Sequence, residues 1–296
     1  QNVKGSFGGV GMQVSEKDGR VVVIAPLKDS PAMKAGILAG DLIATIDGKD
    51  TSSMSSEEAV SLIRGDIGTE VKIGVLHKDA KAIVEVKIIR QEIKIPTIDT
   101  EQKEGVFIIH LYNFSSESPA LFEKAINEFI ASKLPYLVLD LRGNPGGYLE
   151  AAVSMASSLL PEGTVIVSEK HGDGKEAPAH RSKGFNLFNS NLKMVILVDG
   201  GSASASEILA GALKDHGIAK VVGEKSFGKG SVQELINLSD GSSIKVTIAK
   251  WYTPNGVSIS EHGIVPDVEA KLDVKQFTDK KIDSQIRMAI DVVKGK

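Results

Sequence analysis

Twice along this chain an apolar, β-branched run ends in a cluster of small residues and leads into an apolar helical face. Tyr136 to Leu141 runs into Arg142, Gly143, Asn144, Pro145, Gly146 and Gly147, ahead of a helix expected to reach about Leu160. Met194 to Val198 runs into Asp199, Gly200, Gly201, Ser202, Ala203, Ser204, Ala205, Ser206 and Glu207, ahead of Ile208 to Leu213. Each pattern reads as strand, tight turn and helix. Strands alternating with helices predict a mixed α/β layer, and small residues at the turns let another backbone or a ligand approach closely.

The second turn places serines where the first-turn N–H groups of a helix concentrate partial positive charge. Ser204 followed by Glu207 three residues later also reads as a capping box, so the residues alone admit either a helix cap or an activated nucleophile. A base for the second reading is sought first among the six histidines, 77, 110, 171, 180, 216 and 262, which lie in polar or loop-like settings with no evident pairing to a serine. No Gly-x-Ser-x-Gly elbow occurs either. Lys229, set between Gly228 and Gly230 and flanked by strand-like runs at Val221 to Gly223 and Val232 to Leu238, is the remaining option. A buried lysine loses its proton readily, because desolvation disfavours the ammonium form, and the neutral amine is then a general base.

Gly201 to Ile208, with Ser226, Phe227, Gly228, Lys229, Gly230 and Gln233, closely resembles the serine–lysine signature of the carboxyl-terminal processing (tail-specific) proteases. The resemblance implies Ser204 as nucleophile, Lys229 as base and Gln233 as a support for the lysine. Four residues of a straight strand span about 13 Å, so contact between Gln233 and Lys229 requires the glycine segment to curl. The same resemblance refines the fold to a crotonase/Clp-protease-like α/β core, in which the Asp140 to Gly147 run is a recognisable motif. It implies oxyanion donors at the amides of Ala205, Gly146 and Gly147, with the choice among the glycines open.

Residues 1–92 read as a separate β-rich domain. Strands are expected at Val10 to Val14, Arg20 to Ile24, Leu42 to Ile46, Val71 to Leu76 and Ile83 to Ile89. Two short helices are expected, one opened by Ser30 and Pro31, the other by Ser55 or Ser56 and running to about Ile63. Phe7 to Met12, Ser30 to Gly36 and Gly40 to Ile43 resemble a PDZ domain of the tail-specific protease type, which implies capture of C-terminal peptides by strand addition. Gly8, Gly9, Val10, Gly11 and Met12 are the candidate peptide-binding residues. Arg64, at the end of the second helix, is either a contact to the peptide or to the catalytic domain that couples occupancy to activity, or a helix-dipole cap. The boundary is placed at the extended stretch around Pro96, so that 93–296 form the protease core.

Length and composition bound the remaining possibilities. At 296 residues and 42% hydrophobic content the chain has room for about two domains, and a net charge of −3 offers no basic stripe for nucleic acid. No cysteine is present, which removes disulfides and thiolate chemistry but fits any redox compartment. The acidic residues show no metal-ligand spacing, and the chemistry calls for no cofactor. The family resemblance implies protein or peptide substrates with accessible C-termini and an extracytoplasmic location reached through a segment preceding Gln1; it leaves a homo-oligomer open. Gly223 to Lys229 narrowly misses a phosphate loop, since Gly230 stands where Ser or Thr is required. Ser190 to Lys193 matches Ser-x-x-Lys but leads into a strand. His171 to Asn191 reads as a surface excursion, and Phe277 to Val293 as an amphipathic C-terminal helix. The rival readings are a crotonase-type acyl-CoA enzyme and a non-catalytic PDZ scaffold.

Overall fold

A computed structural model describes residues 6–27, 29–77, 80, 82–94, 97–171, 178–185, 192–237, 242–260, 262–273 and 282–296. The N-terminal body is antiparallel. β1 (Ser6–Gly9), β2 (Met12–Lys17), β3 (Arg20–Pro26), α1 (Pro31–Lys34), β4 (Leu42–Ile46), β5 (Lys49–Asp50), α2 (Ser56–Ile63), β6 (Glu70–Leu76), β7 (Val84–Ile89) and β8 (Gln91–Lys94) follow in order. The main sheet runs β2-β3-β4-β6-β7, with β5 paired to β4, while β1 pairs with β8. Because β8 closes against β1, this body extends to Lys94, two residues beyond the boundary expected from composition. Its core is built from alternate strand residues, Val21 and Val23 with Ile43, Ile73 and Val75, closed by Ala59 and Ile63 of α2.

The expected helix starts hold. Ser30 accepts the Met33 amide at 3.2 Å, and Ser55 with Glu58 forms a reciprocal capping box at 3.2 and 2.8 Å. At the other end of α2, the buried Arg90 guanidinium donates to the carbonyls of Ile63 (2.8 Å) and Leu62 (3.0 Å). Arg90 thus satisfies the last carbonyls of α2 from 27 positions away in sequence, beside the C-cap Arg64, whose N–H donates to Val60 O.

The C-terminal body holds β9 (Ile98–Lys103), β10 (Val106–Leu111), α3 (Ser118–Ser132), β11 (Tyr136–Asp140), α4 (Leu149–Ser157), β12 (Val165–His171), β13 (His180–Arg181), β14 (Lys193–Val198), α5 (Ala205–Asp215), β15 (Ala219–Gly223), β16 (Ser231–Asn237), β17 (Ser243–Tyr252), β18 (Val268–Glu269) and α6 (Ser284–Val293). A central sheet runs β18-β15-β14-β11-β10-β9; all its pairings are parallel except β9 with β10. Its central strands β10, β11 and β14 are buried on both faces, as parallel strands require. Leu137, Leu139, Ile196 and Val221 face α3, α4 and α5, while Val138, Val195, Leu197 and Val222 face α6.

Three expectations shift. Part of the 171–191 stretch joins a second sheet of order β13-β12-β17-β16, because β12 runs on to His171 and His180–Arg181 pair back onto it; 172–177 and 186–191 lie outside the described residues. The C-terminal helix begins only at Ser284, capped by Asp283, which accepts the amides of Gln285 and Ile286 at 3.0 Å each; the expected start at 277 lies outside the described residues. Ser118 is the first residue of α3 and not its cap, its hydroxyl donating to Ser115 O at 2.8 Å.

Candidate active site

Strands β11 and β14 are parallel neighbours in the register Asp140 opposite Leu197, so the two glycine turns leave the sheet side by side at the C-terminal ends of the strands. Open α/β sheets place their sites there. Contact between the turns is close: a Cβ at Gly146 would lie 2.6 Å from Ala203 O and 2.9 Å from both Ala205 N and Ser204 Cβ, so only glycine fits.

Three serines crowd the second turn, and the fold separates them. Ser202 and Ser206 are fully buried, their hydroxyls donating to Leu141 O (2.8 Å) and Asn144 O (2.9 Å). Ser204 is the half-buried one. Its backbone adopts φ +55°, ψ −115°, outside the extended region of an ordinary N-cap and rare for any residue with a Cβ. Strain of this kind persists where surrounding contacts over-determine it and gathers at functional sites.

The over-determining contact is Glu207, 0% exposed. Its Oε2 accepts the amides of Ser204 (2.8 Å) and Lys229 (3.0 Å), and its Oε1 accepts Gly228 N (2.7 Å) and Ser226 Oγ (2.5 Å). The capping contact foreseen for Glu207 is present, but the same carboxylate also seizes the lysine loop. Burial pushes the Glu207 carboxyl up, and the four donors pull it back only in part. Phe227 N donates to Ser202 O at 3.0 Å, a second tie between the two loops.

Asn144, also 0% exposed, locks the first turn. Its amide donates to Leu111 O (2.7 Å), its Oδ1 accepts Gly146 N (2.9 Å), and its carbonyl accepts Ala203 N (3.0 Å). Gly146 N–H is thereby engaged, which removes it from the three expected oxyanion donors; Gly147 and Ala205 remain. Gly147, at φ +151°, is held by the bonds Phe114 N to Gly146 O (3.0 Å) and Tyr148 N to Phe114 O (2.8 Å).

Gln233 lies in β16 opposite Thr247, just after a bulge, and its side chain lies outside the described residues. The preceding Lys225–Gly230 is not strand, so the straight-strand distance does not apply.

Beside the first turn, Asp140 grips Arg142 (2.9 and 2.7 Å), which also reaches Asp283 (2.9 Å) and Gln285 (2.9 Å) at the start of α6. Burial alone would raise Asp140, but the Arg142 guanidinium holds it well below the usual carboxylate range. His110 Nδ1 lies 3.2 Å from Asp140 and Nε2 3.4 Å from Glu101. Burial opposes its charge, yet the two carboxylates raise its pKa. His77, His110 and His180 thus each pair with an acid, and His110 braces the turn from behind.

A groove of about 230 Å³ lies between β2 and α2, lined by Gly9, Val10, Gly11, Met12, Gln13, Val14, Leu27, Val60, Ile63 and Arg64. Gly8 is not part of it, because it sits in the β1 ladder opposite Glu92. Strand β2 forms the open edge of its sheet, so a peptide can extend the sheet there. The sequence reading missed Leu27, Val60 and Ile63 as groove residues; apolar helix spacing in 60–63 was the available signal. The groove body touches the catalytic turns: a Cβ at Gly201 would fall 2.9 Å from Ile24 O, and Lys17 Nζ stands 5.2 Å over the Phe227 ring.

Comparison with known proteins assigns both bodies to families. Residues 105–270 match the model of peptidase family S41, and residues 8–88 match that of the PDZ domain. The chain is 38% identical over 272 residues to a carboxy-terminal-processing protease of Bartonella bacilliformis, covering 90% of this chain and 62% of that one. It is 37% identical over 273 residues to the carboxy-terminal processing protease CtpA of Bacillus subtilis, covering 92% and 58% respectively. The chain therefore spans about three-fifths of the length of these relatives. Among solved structures, a photosystem II D1 C-terminal processing protease superposes with a TM-score of 0.84 at 32% identity, over 90% of this chain and 73% of that one. Strained serine, lysine loop and edge-strand groove thus sit on a known framework: the chain belongs to peptidase family S41, with a PDZ domain ahead of its peptidase domain.

Proposed function

We propose that the chain is a serine endopeptidase that engages the C-terminal region of protein substrates in the PDZ groove and cleaves with Ser204 and Lys229. The observation that carries this reading is the single Glu207 oxygen shared by the Ser204 and Lys229 amides, which joins a strained, half-buried serine to a lysine loop. Neutral Lys229 takes the Ser204 Oγ proton as Oγ bonds to the scissile carbonyl carbon, whose oxygen becomes the oxyanion held by the Gly147 and Ala205 amides. On collapse the C–N bond breaks and the departing amine receives the proton from Lys229. Water then attacks the acyl-enzyme, giving one proton to the same lysine; as the ester C–O bond breaks, Lys229 returns that proton to Ser204 Oγ, which frees the new carboxylic acid and restores the neutral amine.

Gln233 supports the lysine in this reading. Val10, Gly11 and Met12 present backbone to the substrate carboxylate, with Arg64 at the groove's rim. The location expected for such an enzyme is extracytoplasmic; among the described residues no helix is long and apolar enough to cross a membrane.

The test is covalent labelling with a fluorophosphonate together with digestion of an unfolded protein. Labelling is expected at Ser204 and nowhere else, with Ser204→Ala and Lys229→Ala both inactive yet folded. A Ser204→Ala variant that still digests substrate, or labelling at Ser202, would defeat the assignment.

A further inference from the structure

We infer that Asp199 is a positioning residue for peptide hydrolysis: a single acceptor oxygen that braces the two glycine turns and sets the spacing of the oxyanion donors. The inference rests on the Ser204–Lys229 reading above and adds a residue that takes no part in proton transfer.

Asp199 follows directly on β14, and its Oδ1 points back across the junction of the turns. That oxygen accepts Gly143 N from the first turn at 2.9 Å and Gly201 N from its own turn at 2.9 Å; Ser202 Oγ, whose proton goes to Leu141 O, lies 3.3 Å away. Gly143 opens the segment that ends in Gly147, and Gly201 opens the segment that ends in Ser204 and Ala205. Both oxyanion amides therefore hang from backbone that one atom holds together.

The brace is part-buried, with Gly201 itself buried. A Cβ at Gly201 would lie 2.9 Å from Gly143 Cα and from Ile24 O, so strand β3 of the PDZ body covers it from outside. Water cannot easily replace the lost acceptor in such a place, and a buried amide without a partner pulls its backbone elsewhere.

All of the donors converge on Oδ1, so the role calls for an acceptor and not for a charge. Burial raises the Asp199 carboxyl, the direction expected where ionisation is not needed. An asparagine keeps the acceptor oxygen; an alanine removes it.

The test uses the full chain, digesting an unfolded protein, with a peptide aldehyde as inhibitor. The aldehyde's adduct with Ser204 carries an oxygen in the oxyanion position. Asp199→Ala is expected to lower kcat about a hundredfold with KM little changed, and to weaken the aldehyde by a similar factor, since a small misplacement of donors costs on this scale. Asp199→Asn is expected to rescue both to within about threefold of the natural protein, a recovery that depends on shape and not charge. The proposal is overturned by an Asp199→Ala enzyme that melts cooperatively and keeps its kcat. It is equally overturned by an Asp199→Asn enzyme more than about tenfold impaired, which decides the matter even where the alanine variant fails to fold. Ser204→Ala, run alongside, separates the two readings: residual turnover there defeats the nucleophile assignment, whereas a dead Ser204→Ala with an active Asp199→Ala defeats only the brace.

Discussion

Ser204 and Lys229 hang their backbone amides on the same oxygen, Oε2 of Glu207, at 2.8 and 3.0 Å. The two loops are 25 residues apart in sequence: the first leaves β14 of the central sheet, and the second joins β15 of that sheet to β16 of the other. A buried carboxylate with four donors is the device that joins them, so the geometry of the proposed dyad depends on a residue to which the proposal assigns no chemical step.

Glu207→Gln tests this directly. Each carboxylate oxygen takes two donors, and a glutamine NH2 can accept neither of its pair, leaving two amides or an amide and a hydroxyl opposed. The expected result is a loss of about 2 kcal/mol in stability and a fall in kcat of about a hundredfold. Chemical denaturation and steady-state turnover of the variant measure the two effects; a fully active Glu207→Gln would show that the dyad holds itself.

Gly146→Ala separates crowding from donation. Gly146 N–H is bonded to Asn144, so the residue gives nothing to an oxyanion, but a Cβ would meet Ala203 O at 2.6 Å and Ser204 Cβ at 2.9 Å, at a φ of +95°. Turnover should drop at least about a hundredfold through displacement of Ser204 alone. Normal fluorophosphonate labelling of this variant would place the two turns further apart than described here.

Lysine as base predicts a rate that rises with pH, because only the neutral amine accepts the Ser204 proton. Lys229→Arg keeps the positive charge but stays protonated at any usable pH, and should be inactive. Residual activity in a peptide digest by Lys229→Arg would return the search to the histidines.

His110 predicts a pH-dependent stability. Its folded-state pKa is raised by Asp140 and Glu101, so the fold binds the proton more tightly than the unfolded chain does. The resulting stabilisation is fully present below the ordinary histidine value of about 6.5 and is lost as pH climbs through the raised one. Melting temperatures of the natural protein and His110→Gln should differ most in mild acid and converge in alkali. A gap that widens with pH would reverse the sign of this argument.

The groove predicts that peptides with a free C-terminal carboxylate bind the inactive Ser204→Ala protein more tightly than their amides, since charge-assisted bonds to the loop are lost on amidation. Calorimetry on acid and amide pairs measures this, and equal affinities would argue against carboxylate capture. Arg64→Ala should weaken any activation by such peptides, because Arg64 lines the groove.

Local chemistry was legible in the sequence. Strand, turn and helix around both glycine clusters follow from periodicity and small residues, and the caps at Ser30 and Ser55 from their side chains, because each of these is settled within a few neighbours. The candidate dyad Ser204 and Lys229 was also legible, through motif resemblance. What only the tertiary structure decided involves partners distant in the chain. Sequence alone left Ser202, Ser204 and Ser206 chemically alike; burial of the first and last against Leu141 and Asn144 from another strand's turn sets Ser204 apart. Glu207 read as a local cap, and only folding revealed that it also holds the lysine loop. Gly146 read as an oxyanion donor, but folding points its N–H at Asn144 Oδ1, and the last carbonyls of α2 receive Arg90 from across the sheet. A hydrogen-bond donor is available for chemistry only if no other acceptor reaches it first, and which acceptor reaches it is a property of packing in three dimensions.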